Sequence, residues 1–118
     1  MRKFLLASVA ILALSTAAQA GNTSTVTQIG FANASSVSQS GTGVNASTTN
    51  QLGVFNSANT AQAGAVNLSD VDQAGVVNHA STGQVGIINA SAIDQWGASN
   101  SASVGQLGVL NFSHVGQH

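Results

Sequence analysis

Over residues 22–117 the chain repeats a single alternation of side chains nine times. Stepping by two from each Asn gives Asn, then Ala or Ser, then a β-branched residue, then Gln. Asn78, Ala80, Thr82, Gln84 and Asn89, Ser91, Ile93, Gln95 are two instances. A period of two places these four residues on one face of a β-strand, and the β-branched third place suits a pleated backbone. The pattern predicts nine strands, beginning at Asn22, Asn33, Asn45, Asn56, Asn67, Asn78, Asn89, Asn100 and Asn111. They end at Gln28, Gln39, Gln51, Gln62, Gln73, Gln84, Gln95, Gln106 and Gln117. Each seven-residue strand is followed by a four-residue connection, x-G-x-x, whose Gly supplies a backbone conformation that other residues resist.

The glutamines are spaced by 11 residues except between Gln39 and Gln51, where the gap is 12. The extra residue falls in the connection Ser40-Gly41-Thr42-Gly43-Val44, so strand register survives it. A unit this short cannot bury a face alone and must stack on copies of itself. Antiparallel hairpins would gather every Asn and Gln on one face of a single sheet with exposed edges. Arches instead oppose two strands in each 22-residue coil and set each amide over its equivalent about 4.8 Å away, where stacked amides bond as ladders. An unpaired buried amide would cost about 1–3 kcal/mol. The expected fold is therefore all-β: a β-solenoid of nine stacked strands, strand–arch–strand, amyloid-like in its stacking. Its small Ala/Ser column implies a thin core, marginal when taken alone.

Ahead of the repeats, Arg2 and Lys3, the apolar run over residues 4–14 and Ala18-Gln19-Ala20 read as an export signal with its cleavage site. The run is too short to span a bilayer. The expected division is residues 1–20, signal peptide, and residues 21–118, repeat domain. Losing Arg2 and Lys3 changes the formal charge from −1 to −3 and leaves Asp70, Asp72 and Asp94 as the only charged side chains besides histidine. With no Lys or Arg to neutralise phosphate, nucleic acid is excluded as a partner, and so is a basic membrane-binding face. The absence of Cys removes disulfides and thiolate metal sites.

Neither end of the repeat array carries a capping segment or a Lys, Arg or Pro guard. Identical molecules are expected to complete each other head to tail, giving a homopolymer that does not close. The odd strand count further predicts that successive subunits are related by roughly a half-turn about the fibre axis. Asp70, Asp72 and Asp94 are expected to point outward as gatekeepers that slow assembly. Asp72 and Asp94 should face each other across adjacent coils. Gly83, Gly105 and Gly116 stand at the last outward place of their strands.

The unit Q-x-G-x-x-N-x-A/S-x-V/T-x-Q resembles the curlin repeat of curli, the extracellular amyloid fibres of bacterial biofilms, over essentially all of residues 21–117. The resemblance implies a secreted matrix protein on the surface of a Gram-negative bacterium. It further implies a nucleator subunit, an outer-membrane secretion channel, and the inward Asn and Gln residues as the ladder. Here Asn begins every half-repeat, where curlin repeats alternate Ser-led and Asn-led halves, and no separate N-terminal segment precedes the first strand. The missing cations favour a major subunit. The alternatives are a nucleator or minor subunit, and a monomeric solenoid binding a surface or ice. The latter calls for regular outward Thr columns, and the outward residues instead vary from Thr23, Thr25 and Thr27 to Leu68, Asp70 and Asp72.

Enzyme chemistry finds no support. His79 and His114 are expected to face outward from opposite sheets, so no metal site is expected, and the Gly residues open strands rather than the helices that phosphate loops require. No cofactor is implied. The apolar connection residues Phe31, Phe55, Ile87, Ile88 and Leu110 are expected to fill the arch corners or bind other fibres laterally, and Trp96 to fill a corner.

Overall fold

The structure, a computed structural model, describes residues 21–118, so the export signal expected over residues 1–20 lies outside the described residues. Alternation at period two produces strands, and all of them pair in parallel. The elements are β1 (Thr23–Phe31), β2 (Ala34–Ser40), β3 (Val44–Val54), β4 (Ser57–Val76), β5 (Asn78–Gly97) and β6 (Asn100–Gln117). They wind a parallel β-solenoid of about four turns.

Six elements stand where nine strands were expected, and the reason is physical. β4, β5 and β6 each join two seven-residue strands, because the backbone ladder runs on through the corner between them. Ala63 pairs with Val85, Gly64 with Gly86 and Val66 with Ile88 inside such corners. Corners of the other kind break the ladder, as the gaps between β1 and β2 and between β3 and β4 show. We number the nine half-coils in chain order, odd ones beginning at Asn22 and even ones at Asn33. Odd-to-even corners interrupt the strand, and even-to-odd corners from the second coil onward do not.

Register is strict. Gln51 lies against Gln73 and Gln73 against Gln95, an offset of one 22-residue coil. Below the insertion the offset is 23, with Gln28 against Gln51 and Gln39 against Gln62. The extra residue is absorbed between Ser40 and Val44, where the strand is interrupted, so no side chain changes face.

In the middle coils the inward columns are buried as the period requires: Asn67, Ser69, Val71 and Gln73 are inaccessible while Leu68 and Asp70 are exposed. In the first and last half-coils the same columns are half-buried or, at Ser24, exposed. The core is thin. Its apolar cluster comprises Ala58, Val71, Ala80, Ile93, Ala102 and Val104, with Val115 packed against it. Among the described residues, seven buried hydroxyls, those of Ser35, Ser47, Thr49, Thr60, Ser69, Thr82 and Ser91, have no hydrogen-bond partner within the protein. Each such group costs about 1–3 kcal/mol, so amide stacking and backbone ladders must supply what this core lacks.

The corners are not filled as expected. Trp96 is 58% exposed, and Phe31, Phe55, Ile87, Ile88 and Leu110 are likewise exposed. The coil interior at each corner is occupied by Asn and Gln side chains, which leaves the apolar residues facing out. Phe31 and Phe55 stack edge to face on this outer surface, with ring centroids 5.8 Å apart.

Candidate functional site

Every inward Gln sits at the last place of its half-coil, directly over the Gln one coil away. Its amide nitrogen donates to the side-chain oxygen of the next Gln toward the C-terminus. On the odd face the chain of bonds runs Gln28, Gln51, Gln73, Gln95, Gln117 at 2.6–2.8 Å. On the even face it runs Gln39, Gln62, Gln84, Gln106 at 2.7–2.8 Å. The second amide hydrogen goes across the coil to a backbone carbonyl of the opposing half-coil. Gln84 Nε2 donates to Leu68 O at 2.8 Å and Gln95 Nε2 to His79 O at 3.0 Å. The same cross-link joins Gln39 to Thr23 and Gln117 to Ser101. From Gln39 onward each Gln therefore ties coil to coil and sheet to sheet at once, whereas Gln28 makes only the bond to Gln51. The accepting carbonyls always belong to the residue after an Asn. The fixed register contained that signal, but side-chain periodicity says nothing about carbonyls.

The Asn residues divide into two kinds, which revises the expectation of one uniform ladder. On the odd face they form an amide ladder donating in the opposite sense. Asn45 donates to Asn22, Asn67 to Asn45, Asn89 to Asn67 and Asn111 to Asn89, at 2.7–2.9 Å. On the even face no Asn amide meets another Asn amide. Asn56 Nδ2 donates to Leu52 O, Asn78 Nδ2 to Ala74 O and Asn100 Nδ2 to Trp96 O, each bonding back onto its own corner. Asn33 does the same with Ile29 O. Their oxygens instead accept backbone N–H groups one coil on: Asn56 N to Asn33, Asn78 N to Asn56 and Asn100 N to Asn78, each at 3.1 Å.

Backbone geometry accounts for the split at three corners. At the fourth, Ser99 is not left-handed, yet the Asn100 N–H still turns to the Asn78 oxygen where the strand is interrupted. In three of the four odd-to-even corners the residue before the even Asn is left-handed: Ala32 (φ 55°), Phe55 (φ 57°) and Val77 (φ 60°). That turn breaks the ladder, and the N–H of the following Asn loses its backbone partner. A buried N–H must be satisfied, and the Asn side chain below supplies the oxygen. The even Asn is a side-chain patch for a missing backbone bond. Even-to-odd corners have no left-handed residue other than Gly, so their Asn amides remain free to stack.

The corner Gly is required by both conformation and stacking. Gly64 has φ +139°, and a Cβ there would stand 1.8 Å from the Gly86 carbonyl oxygen. Gly75, in the other type of corner, has φ +130° and would place a Cβ 1.9 Å from the Gly97 oxygen. Coils approach closely at both edges because nothing larger than hydrogen lies between them.

The outer faces differ in charge. Asp70, Asp72 and Asp94 all lie on the outside of the odd face, and Asp72 pairs directly with Asp94 across adjacent coils. Asp70 has its pKa raised above the ordinary value, first by partial burial and then by the charges of Asp72 and Asp94. His114 Nδ1 stands 3.9 Å from Asp94 Oδ2 on the same face. His79 lies in the half-coil column of Ser57 and Ser101, on the even face, away from His114. Among the described residues no three metal-ligating side chains converge.

No protein family, curated protein or solved structure matches the chain.

Proposed function

We propose that this chain is a structural subunit of an extracellular, curli-like amyloid fibre that grows by head-to-tail addition of identical copies. The observation that carries the reading is the polarity of the ladders. All seven Gln–Gln bonds point toward the C-terminal coil and all four Asn–Asn bonds point away from it. Whichever strand stands last in such a stack offers a spare Gln N–H and a spare Asn oxygen on one side. Whichever stands first offers a Gln oxygen and an Asn N–H. Two like ends leave donor facing donor, while unlike ends complete both ladders together with the backbone. A contact between two different surfaces of the same molecule does not close, so it propagates as a filament.

The thin core supports the same reading. Seven unpartnered buried hydroxyls and an apolar cluster dominated by Ala and Val leave a single molecule little stability of its own. Added copies lengthen every ladder at once and protect the outermost strands. The resemblance to curlin repeats, together with the export signal expected over residues 1–20, supports a reading in which such a fibre lies in the biofilm matrix or on the cell surface. A nucleator subunit and an outer-membrane channel would serve its assembly. The acidic outer face fits a brake on assembly before export is complete.

Thioflavin fluorescence of the protein over time, with and without preformed seeds, tests the proposal. Seeds should abolish the lag, and fibre diffraction should give the spacing of about 4.8 Å along the axis. A chain that stays monomeric and soluble at high concentration in the presence of seeds rules the fibre out and favours a solitary solenoid.

A further inference from the structure

One column on the side of the stack breaks the regularity of its neighbours. The residue after each of the first four odd Gln faces outward at the odd-to-even edge: Ile29, Leu52, Ala74, Trp96. Three are large and exposed, and Ala74 is small. Because Leu52 pairs with Ala74 and Ala74 with Trp96, a side chain's worth of space opens between a Leu wall and an indole wall one coil apart on either side. The recess has a volume of about 210 Å³, and Asp72 and Asn50 border it. Asn50 Nδ2 donates to Asp72 Oδ1 at 2.7 Å, which holds the carboxylate in place and leaves its other oxygen unused by that bond.

An apolar notch with an aromatic wall and a fixed carboxylate at its rim suits one class of ligand. We infer that the recess binds a small apolar cation, its hydrocarbon body seated over Ala74 between Leu52 and Trp96 and its charge held against Asp72. The indole attracts a cation through its ring quadrupole, and the notch removes apolar ligand surface from water. The occupant must come from outside. With the export signal over residues 1–20 removed, the chain keeps no Lys or Arg and a formal charge of −3. A second copy therefore brings no cationic side chain apart from histidine, which has no apolar ammonium body to seat in the notch. The neighbouring carboxylates Asp70 and Asp94 on the same outer face raise the local concentration of cations.

Trp96 is the only tryptophan in the chain, so its emission reports on this recess alone. Phenethyltrimethylammonium titrated against the protein should give a saturable change in Trp96 emission. Neutral 2-phenylethanol should need at least about fivefold higher concentration, the order of advantage a cation–π contact with a nearby carboxylate provides. Asp72→Asn should erase most of that difference. Ala74→Leu fills the notch and should abolish saturation, whereas Ala63→Leu, the equivalent place at the opposite edge, should leave the titration unchanged. Circular dichroism establishes whether each variant folds; if Ala74→Leu does not, the Asp72→Asn titration decides. A linear, unsaturable response overturns the site, and so do equal affinities for the cation and the alcohol. An Ala74→Leu variant that folds and titrates like the parent also overturns it. The recess lies on the flank of the stack and not at its ends, so the readout is independent of whether copies join into fibres.

Discussion

The two edges of this solenoid are built from the same motif, Q-x-G-x-x-N, and solve it differently. At the even-to-odd edge the backbone ladder continues through the corner, as Val66 against Ile88 shows, and the Asn amides stack on one another. At the odd-to-even edge a left-handed residue such as Val77 breaks the ladder, and the Asn oxygen repairs it. The sequence repeats every 11 residues but the structure repeats every 22. Two opposed sheets make the two turns inequivalent, because one leads from the odd face to the even and the other returns. A side chain that serves as a ladder rung at one edge is a backbone cap at the other.

The largest expected effect should not distinguish the edges at all. Gly64→Ala and Gly75→Ala each combine a left-handed φ with a Cβ placed within 2 Å of the next coil's carbonyl oxygen. Each should cost more than about 4 kcal/mol, beyond the ordinary range of point substitutions, because neither coil can move aside without separating both ladders. Gly83→Ala, with nothing within 4 Å of the added methyl, should be neutral or stabilising by about 0.5–1 kcal/mol. Denaturant unfolding measures all three, and similar losses at Gly64 and Gly83 would show that coils are not in contact at the corners.

The next test separates the edges directly. Asn67→Asp cannot donate to Asn45 Oδ1, so the odd ladder should break at that rung and lose about 3 kcal/mol. Asn78→Asp shares the cost of a buried carboxyl and also loses one donation, while keeping its acceptance from the Asn100 N–H. The acceptor it abandons is the Ala74 carbonyl in the backbone ladder and not an amide oxygen of the kind served by Asn67, so the smaller loss is expected. Equal losses at the two positions would mean the edges are alike.

A smaller effect should change sign between them. Val77 is β-branched in a left-handed conformation, so Val77→Asn should stabilise by about 1 kcal/mol. Val66 holds the same place in the other corner but sits in an unbroken ladder between Val44 and Ile88. Val66→Asn should therefore be destabilising by up to about 1 kcal/mol. Thermal unfolding of the two variants side by side should show midpoints moving in opposite directions.

The smallest effect belongs to the acidic face. The Asp70 pKa is raised in the folded chain above its ordinary 3.8. The folded state therefore holds its proton more tightly than the unfolded state does. Stability should be greatest below the ordinary value and decline as pH rises from there through the raised folded value, after which it is constant. Assembly should accordingly quicken as pH falls from neutral toward about pH 4, with Asp72, Asp94 and His114 as the groups facing Asp70's side of the sheet. Asp70→Asn should shorten the lag at neutral pH and flatten this dependence; an unchanged lag between the two pH values would remove Asp70 from the control of assembly.

Much of this could be read directly from the chain. Period two fixed which residues face inward, and the constant spacing of Gln, Gly and Asn fixed the register. Both follow from nearest-neighbour geometry, so burial of the Asn67, Ser69, Val71, Gln73 set and alignment of Gln51 on Gln73 needed nothing more. The placement of Asp72 against Asp94 was legible for the same reason. Even the 12-residue unit was interpretable, because an insertion outside a strand cannot shift its faces. What remained hidden depends on the direction of the turn. Identical motifs at Gly64 and Gly75 give no local sign of which corner breaks the ladder, which Asn becomes a cap, or that Trp96 faces solvent and not the corner interior. Those are set when two sheets close on each other: the amides take the interior space at each edge, the backbone of one corner loses a bond, and the apolar residues are left outside. Side-chain alternation is a property of a strand, but the sense of a corner exists only in the assembled coil.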